Sequence, residues 1–193
     1  AMGFGDPRTL GSGNPGATNV LRIAGEKAAA ITLAGDLLKG LIPVVVFIIL
    51  RRFFPAGIDD LVIVLVGLGA FFGHLYPIFF NFEGGKGVAT AFGVLLAWNP
   101  IVALLGAAIW GAVFYNTRIS SLSALSAAAF VAIASIFYTP GKDWAYMLTA
   151  VFIIVGILFY RHRSNIERLL KGEEAPFGGG KMKDPFADED DDE

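Results

Sequence analysis

The chain has 193 residues, 55% of them hydrophobic and 17% charged, with a mean hydropathy of +0.63. A soluble domain carries about 25% charged residues, so most soluble classes are excluded, and the lack of cysteine removes disulfide scaffolds, thiolate metal sites and a cysteine nucleophile. The formal charge of -2 conceals a division: the run Asp188 to Glu193 is wholly acidic, and the rest of the chain is net basic.

Residues 4–27 are polar and glycine-rich. Asn14-Pro15 followed by Gly25 predicts a short helix, with Asn14 as N-cap, Pro15 at its first position and Gly25 just past its end. The first long apolar segment runs from Ala28 to Leu50, interrupted by Asp36 and Lys39 and closed by Arg51-Arg52 and Asp59-Asp60. The second runs from Leu61 to Phe80, and the polar stretch Glu83-Gly84-Gly85-Lys86-Gly87 follows it. Residues 88–117 carry no charge, but as one helix they would be about 45 Å long, too long for a ~30 Å hydrocarbon core. Proline disfavours helix at the residue before it. Trp98-Asn99-Pro100 therefore divides the region into a short span, Val88 to Ala97, and another, Ile101 to Tyr115. The last spans are Ile119 to Tyr138 and Trp144 to Tyr160, and residues 162–171 read as an interfacial amphipathic helix.

The fold class is thus an all-α integral membrane protein with about six membrane segments, some of them short. Residues 4–171 form one polytopic domain, and residues 172–193 read as a disordered, glycine-rich and acidic tail. Six crossings put Arg8, Arg22, Lys27, Lys86, Arg118 and the basic run from Arg161 to Lys183 on one face, against Arg51, Arg52 and Lys142 on the other. The positive-inside rule makes the crowded face cytoplasmic.

Three stretches on that face suit an anion. In the first, Gly11-Ser12-Gly13-Asn14-Pro15-Gly16, glycines allow close backbone approach, helix-start amides point outward, and Ser12, Asn14 and Arg22 add donors. A tight turn and a capped helix would account for it with nothing more, and on physics alone that is the favoured alternative. In the second, Gly84, Gly85 and Gly87 flank Lys86 at a helix start; it is not a Walker A loop, because Gly87 stands where Ser or Thr should hold magnesium. A flexible turn with an ordinary basic residue is its alternative. In the third, His162 and Asn165 share one helix face, while Arg161 and Arg163 are expected merely to snorkel to the interface. Within the first span, Asp36 and Lys39 are an intramembrane pair, and His74 is expected to make a satisfied structural hydrogen bond. The convergence implies a small phosphorylated substrate at the membrane surface, with apolar spans beside it for a lipid chain.

These residues resemble the bacterial acyl-phosphate-dependent glycerol-3-phosphate acyltransferases. The likeness is carried by residues 11–19, by Asp36-Leu37-Leu38-Lys39-Gly40, by Gly73-His74 with residues 84–90, and by Arg161-His162-Arg163 with Asn165. It implies transfer of a fatty acyl group from acyl phosphate to the 1-hydroxyl of glycerol 3-phosphate in the bacterial inner membrane, giving lysophosphatidate and phosphate. No metal or other cofactor is implied, and no nucleic acid. The partners are membrane lipids and the enzyme that supplies acyl phosphate. The resemblance assigns Ser12, Arg22 and Lys86 to phosphate, His162 and Asn165 to the glycerol 3-phosphate site, and Gly84, Gly85 and Gly87 to a phosphate cradle. Ser12, His162 and Asn165 are the catalytic candidates; Asn14, Thr18 and Asn19 shape the first loop. The family has a further hydrophobic helix before the first motif, and that helix is expected to be missing here. The rival classes are a transporter for a phosphorylated solute, favoured by the intramembrane pair, and a non-catalytic membrane anchor.

Overall fold

The computed structural model describes residues 5–138 and 144–177. The expected acidic end of the tail, Lys142, Lys181 and Lys183 lie outside the described residues. Among those that are described, the regular structure is entirely helical.

Helix α1 (Ala17–Leu50) starts with Gly16 as N-cap. Asn14 is therefore not the cap, but the expected short helix forms and ends at Gly25, as the sequence implies. The chain continues into the first span through a break at Gly25, whose backbone (φ 78°, ψ -179°) is not helical. After Arg51, which pairs with Asp60 across the turn, α2 (Asp60–Leu75) begins under Asp59, whose carboxylate accepts from Val62 N at 2.9 Å. It ends five residues before the expected Phe80. Tyr76 precedes Pro77 and has left the helical region (φ -131°, ψ 62°), and only a single 3-10 turn, Ile78–Phe80, follows.

The division at Asn99 occurs as the sequence implies. Asn99 ends α3 (Val88–Trp98) and caps α4 (Pro100–Thr117), its Oδ1 accepting from Val102 N at 3.2 Å. Helices α5 (Ser120–Tyr138) and α6 (Trp144–Arg161) follow, and α7 (Arg163–Leu170) turns away from α6 by 59°. Among the described residues, four helical segments are long and apolar enough to cross a membrane, or five if α6 and α7 are taken together. Helix α3 has 11 residues, about 16 Å of rise, and is the short segment of the set.

Helix α1 packs on α2 and α3, α4 on α5, α5 on α6, and α6 returns to α2. Small residues set the closest contact: Gly40 of α1 lies against the Thr90 carbonyl of α3, and Gly93 of α3 against the Leu37 carbonyl of α1, leaving no room for a methyl at either position. The core is slim, centred on Phe71, Leu75, Val94, Trp98, Val102 and Ile154. Ile31, Ile42, Leu65, Ile101 and Ile133 face outward, the all-round apolarity of helices solvated by lipid.

The tail, expected to be disordered from 172 onward, begins as a hydrogen-bonded segment. Glu173 N donates to the Arg168 carbonyl at 2.8 Å, and Phe177 N to that of Arg118 at 2.7 Å, so residues 172–177 fold back from α7 toward the α4–α5 turn.

Candidate functional site

The first glycine-rich stretch is tied down by one buried amide. Asn19, in the first turn of α1, donates to the carbonyls of Pro7 and Leu10, both at 2.9 Å, and accepts from Ser12 N at 2.9 Å. Its donors and acceptor are used by the backbone, so it shapes the loop that presents Ser12. Thr18 reaches across to Ser120 of α5, Oγ1 to Oγ 3.1 Å, and joins the same corner to a second helix.

The second stretch is held through its carbonyls. Arg161, at the end of α6, donates to the carbonyls of Gly84 and Gly85 at 2.8 and 2.9 Å. That is a positioning contact and not the interfacial snorkelling expected of it. With the loop fixed, Lys86 points inward and its ammonium donates to Asn165 Oδ1. Burial pulls Lys86 down to about 8, Glu174 acts against this, and Arg168, Arg161 and Arg22 add to it.

The third stretch forms the bend between α6 and α7. His162 is buried, and its Nδ1 lies 2.8 Å from the Leu158 carbonyl. A carbonyl can only accept, so Nδ1 carries the proton and Nε2 keeps its lone pair. Burial depresses His162 to about 4 despite that hydrogen bond, with the charges of Lys86 and Arg161 pushing the same way. The imidazole is thus neutral at pH 7.

Asn165 is held at both ends of its amide, receiving from Lys86 and donating through Nδ2 to Glu174 Oε1 at 2.6 Å. The other carboxylate oxygen of Glu174 takes Arg168 Nε at 2.6 Å, and Ser121 donates to Oε1. Burial alone would raise the Glu174 carboxyl. The hydrogen bonds from Ser121, Asn165 and Arg168 outweigh that, and the net shift is downward.

Two joined cavities result. The larger, about 960 Å³, has a polar end with Ser12, Asn14, Thr18, Asn19, Arg22, Lys86, Gly87, His162 and Asn165. From there it runs between α4, α5 and α6 along small and apolar side chains such as Ala103, Ala107, Ala124, Ala128 and Val131. The smaller, about 280 Å³, is lined by Ser12, Gly13, Asn14, Gly84, Lys86, Arg161, Arg163, Ser164 and Arg168. It is strongly cationic, and it meets the larger one at Ser12, Asn14, Lys86 and Arg168.

Ser12, Lys86 and His162 therefore border one space. Gly85 is the exception among the expected residues: it is buried behind the loop and borders neither cavity. Arg168 and Glu174 were not anticipated. Arg168 stands i+3 from Asn165 and was legible as a face neighbour, whereas Glu174 depends on the return of the chain after α7. Asp36 and His74 also border the larger cavity. Asp36 pairs with Lys39 at 2.7 Å, and His74 Nδ1 faces the same carboxylate at 3.5 Å, a long contact in place of the hydrogen bond expected of it.

A sequence profile of the glycerol-3-phosphate acyltransferase family matches residues 1–172. A glycerol-3-phosphate acyltransferase of Neisseria meningitidis serogroup C (strain 053442) is 48% identical over 179 residues, covering 93% of this chain and 87% of the relative. Among solved structures, the chain is similar to PlsY, an integral membrane glycerol 3-phosphate acyltransferase, in its glycerol 3-phosphate form. The TM-score is 0.80 at 41% identity, over 90% of this chain and 83% of that one. The lysophosphatidic acid form of PlsY matches with a TM-score of 0.76, over 87% and 82% of the two chains.

Proposed function

This chain belongs to the glycerol-3-phosphate acyltransferase family, and on that premise we propose that its acyl donor is acyl phosphate and its product lysophosphatidate, with inorganic phosphate released. The observation that carries the reading is the junction of the two cavities: a cationic pocket opens, at Ser12 and Lys86, into a long apolar slot. A phosphorylated polyol suits the first and an acyl chain the second, so the reacting atoms would meet where the two join.

The glycerol 3-phosphate headgroup is assigned to Lys86, Arg161, Arg163 and Arg168, with Ser12 and Gly84 at the edge of the same pocket. Arg22, on the larger cavity, is assigned to the phosphate of the donor. The 1-hydroxyl oxygen attacks the acyl carbonyl carbon, a new C–O bond forms, and the bond from that carbon to the bridging phosphate oxygen breaks. Phosphate leaves with the electron pair. The anhydride is already activated, so holding the two reactants and compensating charge supply most of the rate.

The hydroxyl proton passes to an oxygen of the departing phosphate. His162 Nε2 accepts a hydrogen bond from the hydroxyl and aims it; with a pKa of about 4 the imidazole is too weak a base to retain the proton at neutral pH. Asn165 acts through Lys86, whose ammonium it fixes. The basic bias of one face supports a multi-pass protein of the bacterial inner membrane with this site on the cytoplasmic side.

Phosphate release from acyl phosphate, followed in detergent with and without glycerol 3-phosphate, tests the reading. Release that requires glycerol 3-phosphate and yields lysophosphatidate is expected. Inert acyl phosphate would leave a carrier or an anchor, and activity with acyl thioesters alone would change the donor.

A further inference from the structure

The transfer leaves Asp36 and His74 without a part, although both are placed where α1, α2 and the glycine loop come together. His74 is the penultimate residue of α2 and is buried. Its Nδ1 faces the Asp36 carboxylate of α1 at 3.5 Å. The opposite edge of the ring lies against Gly85: a methyl there would stand 2.5 Å from Nε2 and 3.0 Å from Cε1. The backbone carbonyl of the same histidine touches Gly84, where a methyl would collide with it.

The two glycines before Lys86 thus rest on His74, while Arg161 holds their carbonyls. Asp36 is itself fixed, its carboxylate by Lys39 at 2.7 Å and its carbonyl by Thr90 Oγ1 at 2.9 Å. Thr90 belongs to the first turn of α3, directly beyond the loop. The loop is cross-tied at its start by His74 and at its end by Thr90, both referred to Asp36. A carboxylate and an imidazole within apolar spans are costly to keep and mark function; an aliphatic pair would fill the space with less penalty.

We propose that His74, oriented by Asp36, is a positioning residue for the phosphate-binding loop: it sets the height of Gly84 and Gly85, and through them the aim of Lys86 at the glycerol 3-phosphate headgroup. The assignment rests on the acyltransferase reading for its kinetic readout. Misplacing a binding group by about 1 Å can cost up to ~100-fold. His74→Ala therefore raises KM for glycerol 3-phosphate by ~10-fold or more, while KM for acyl phosphate stays unchanged and kcat falls less than KM rises. His74→Asn, whose amide can still face Asp36, recovers part of the loss, and Asp36→Asn shows the same selective defect more weakly.

The full-length protein in detergent serves for all these measurements. A double-mutant cycle isolates the contact: Gly85→Ala weakens glycerol 3-phosphate in the parent and adds little once His74 is alanine. If His74→Ala does not fold, the cycle of Gly85→Ala with His74→Asn carries the same information. Unchanged KM values, equal losses for both substrates, a fall in kcat alone or additive double variants overturn the proposal. A parent protein with no glycerol 3-phosphate-dependent phosphate release overturns the acyltransferase reading instead. Calorimetric binding of glycerol 3-phosphate to the same variants then decides the positioning role on its own.

Discussion

Lys86 and Asn165, 79 residues apart in the chain, are hydrogen-bonded, the ammonium of the glycine loop donating to the amide oxygen of α7. This contact joins the second and third motifs, and the other end of the same amide extends it to Glu174. The loop lysine is therefore aimed before substrate arrives.

Removing that charge should act on one substrate. Hydrogen bonds to charged groups are worth about 1.5–3 kcal/mol, and 1.4 kcal/mol is tenfold. Lys86→Ala should weaken glycerol 3-phosphate by ~10- to 100-fold in steady-state KM or in calorimetry, with KM for acyl phosphate little changed. Equal affinity in parent and variant would move the headgroup elsewhere.

The same lysine sets a pH limit. With Lys86 depressed to about 8 by burial, that side chain loses its positive charge in the empty site as the pH rises through that value, while the arginines keep theirs. Bound phosphate favours the ammonium, so substrate binding takes up a proton above about pH 8 and affinity declines there, while near pH 7 it is flat. Titrating KM for glycerol 3-phosphate from pH 6.5 to 9.5 reads the limb directly, and Lys86→Arg, charged throughout, should flatten it.

His162 should leave no imidazole inflection between pH 6 and 7 in kcat, because it is already neutral there. In single turnover, His162→Ala should slow acyl transfer without abolishing it. Complete loss of the chemical step with both substrates still bound would assign the proton to the histidine. Ser12 should stay unmodified throughout; an acyl-Ser12 adduct in mass spectrometry would replace direct transfer by a two-step route.

Glu174 closes the polar network from the far side. Glu174→Ala strips partners from Asn165, Ser121 and the more exposed Arg168, and a buried polar group left unpaired, as Asn165 and Ser121 would be, costs about 1–3 kcal/mol. A lower thermal midpoint in detergent is expected, with Glu174→Gln retaining part of the stability. A midpoint equal to the parent's would show that the segment after α7 does not hold the site.

The slot between α4 and α5 should measure the acyl chain. Ala128 is buried on its wall, and a phenyl ring there blocks the passage. Ala128→Phe should reduce kcat/KM for long-chain donors by ~10-fold or more relative to short ones, since each methylene denied its pocket costs about 1–3 kcal/mol. An unaltered chain-length profile would put the chain on another surface.

Much of this architecture follows from local rules. Proline after Asn99 divides α3 from α4, and the i, i+3 spacing of Asp36 and Lys39 becomes an ion pair. Elsewhere tertiary contacts overrule them. Asn14 and Pro15 are a good helix start, yet Asn19 draws the loop back onto α1 and the helix begins two residues later. Glu174 has no periodicity to mark it: its hydrogen bond to Ser121 spans 53 residues, and only the turn after Leu170 brings it near. Arg161 has the sequence setting of an interfacial cation, and only the fold brings it to the two carbonyls it serves.

The junction of the two cavities has a kinetic consequence. Their linings differ, and they share only Ser12, Asn14, Lys86 and Arg168. On the proposed reading, a water-borne reactant in the cationic pocket and a membrane-borne one in the apolar slot rest on different linings, so neither has to displace the other. Arrival in either order is open to an enzyme so arranged.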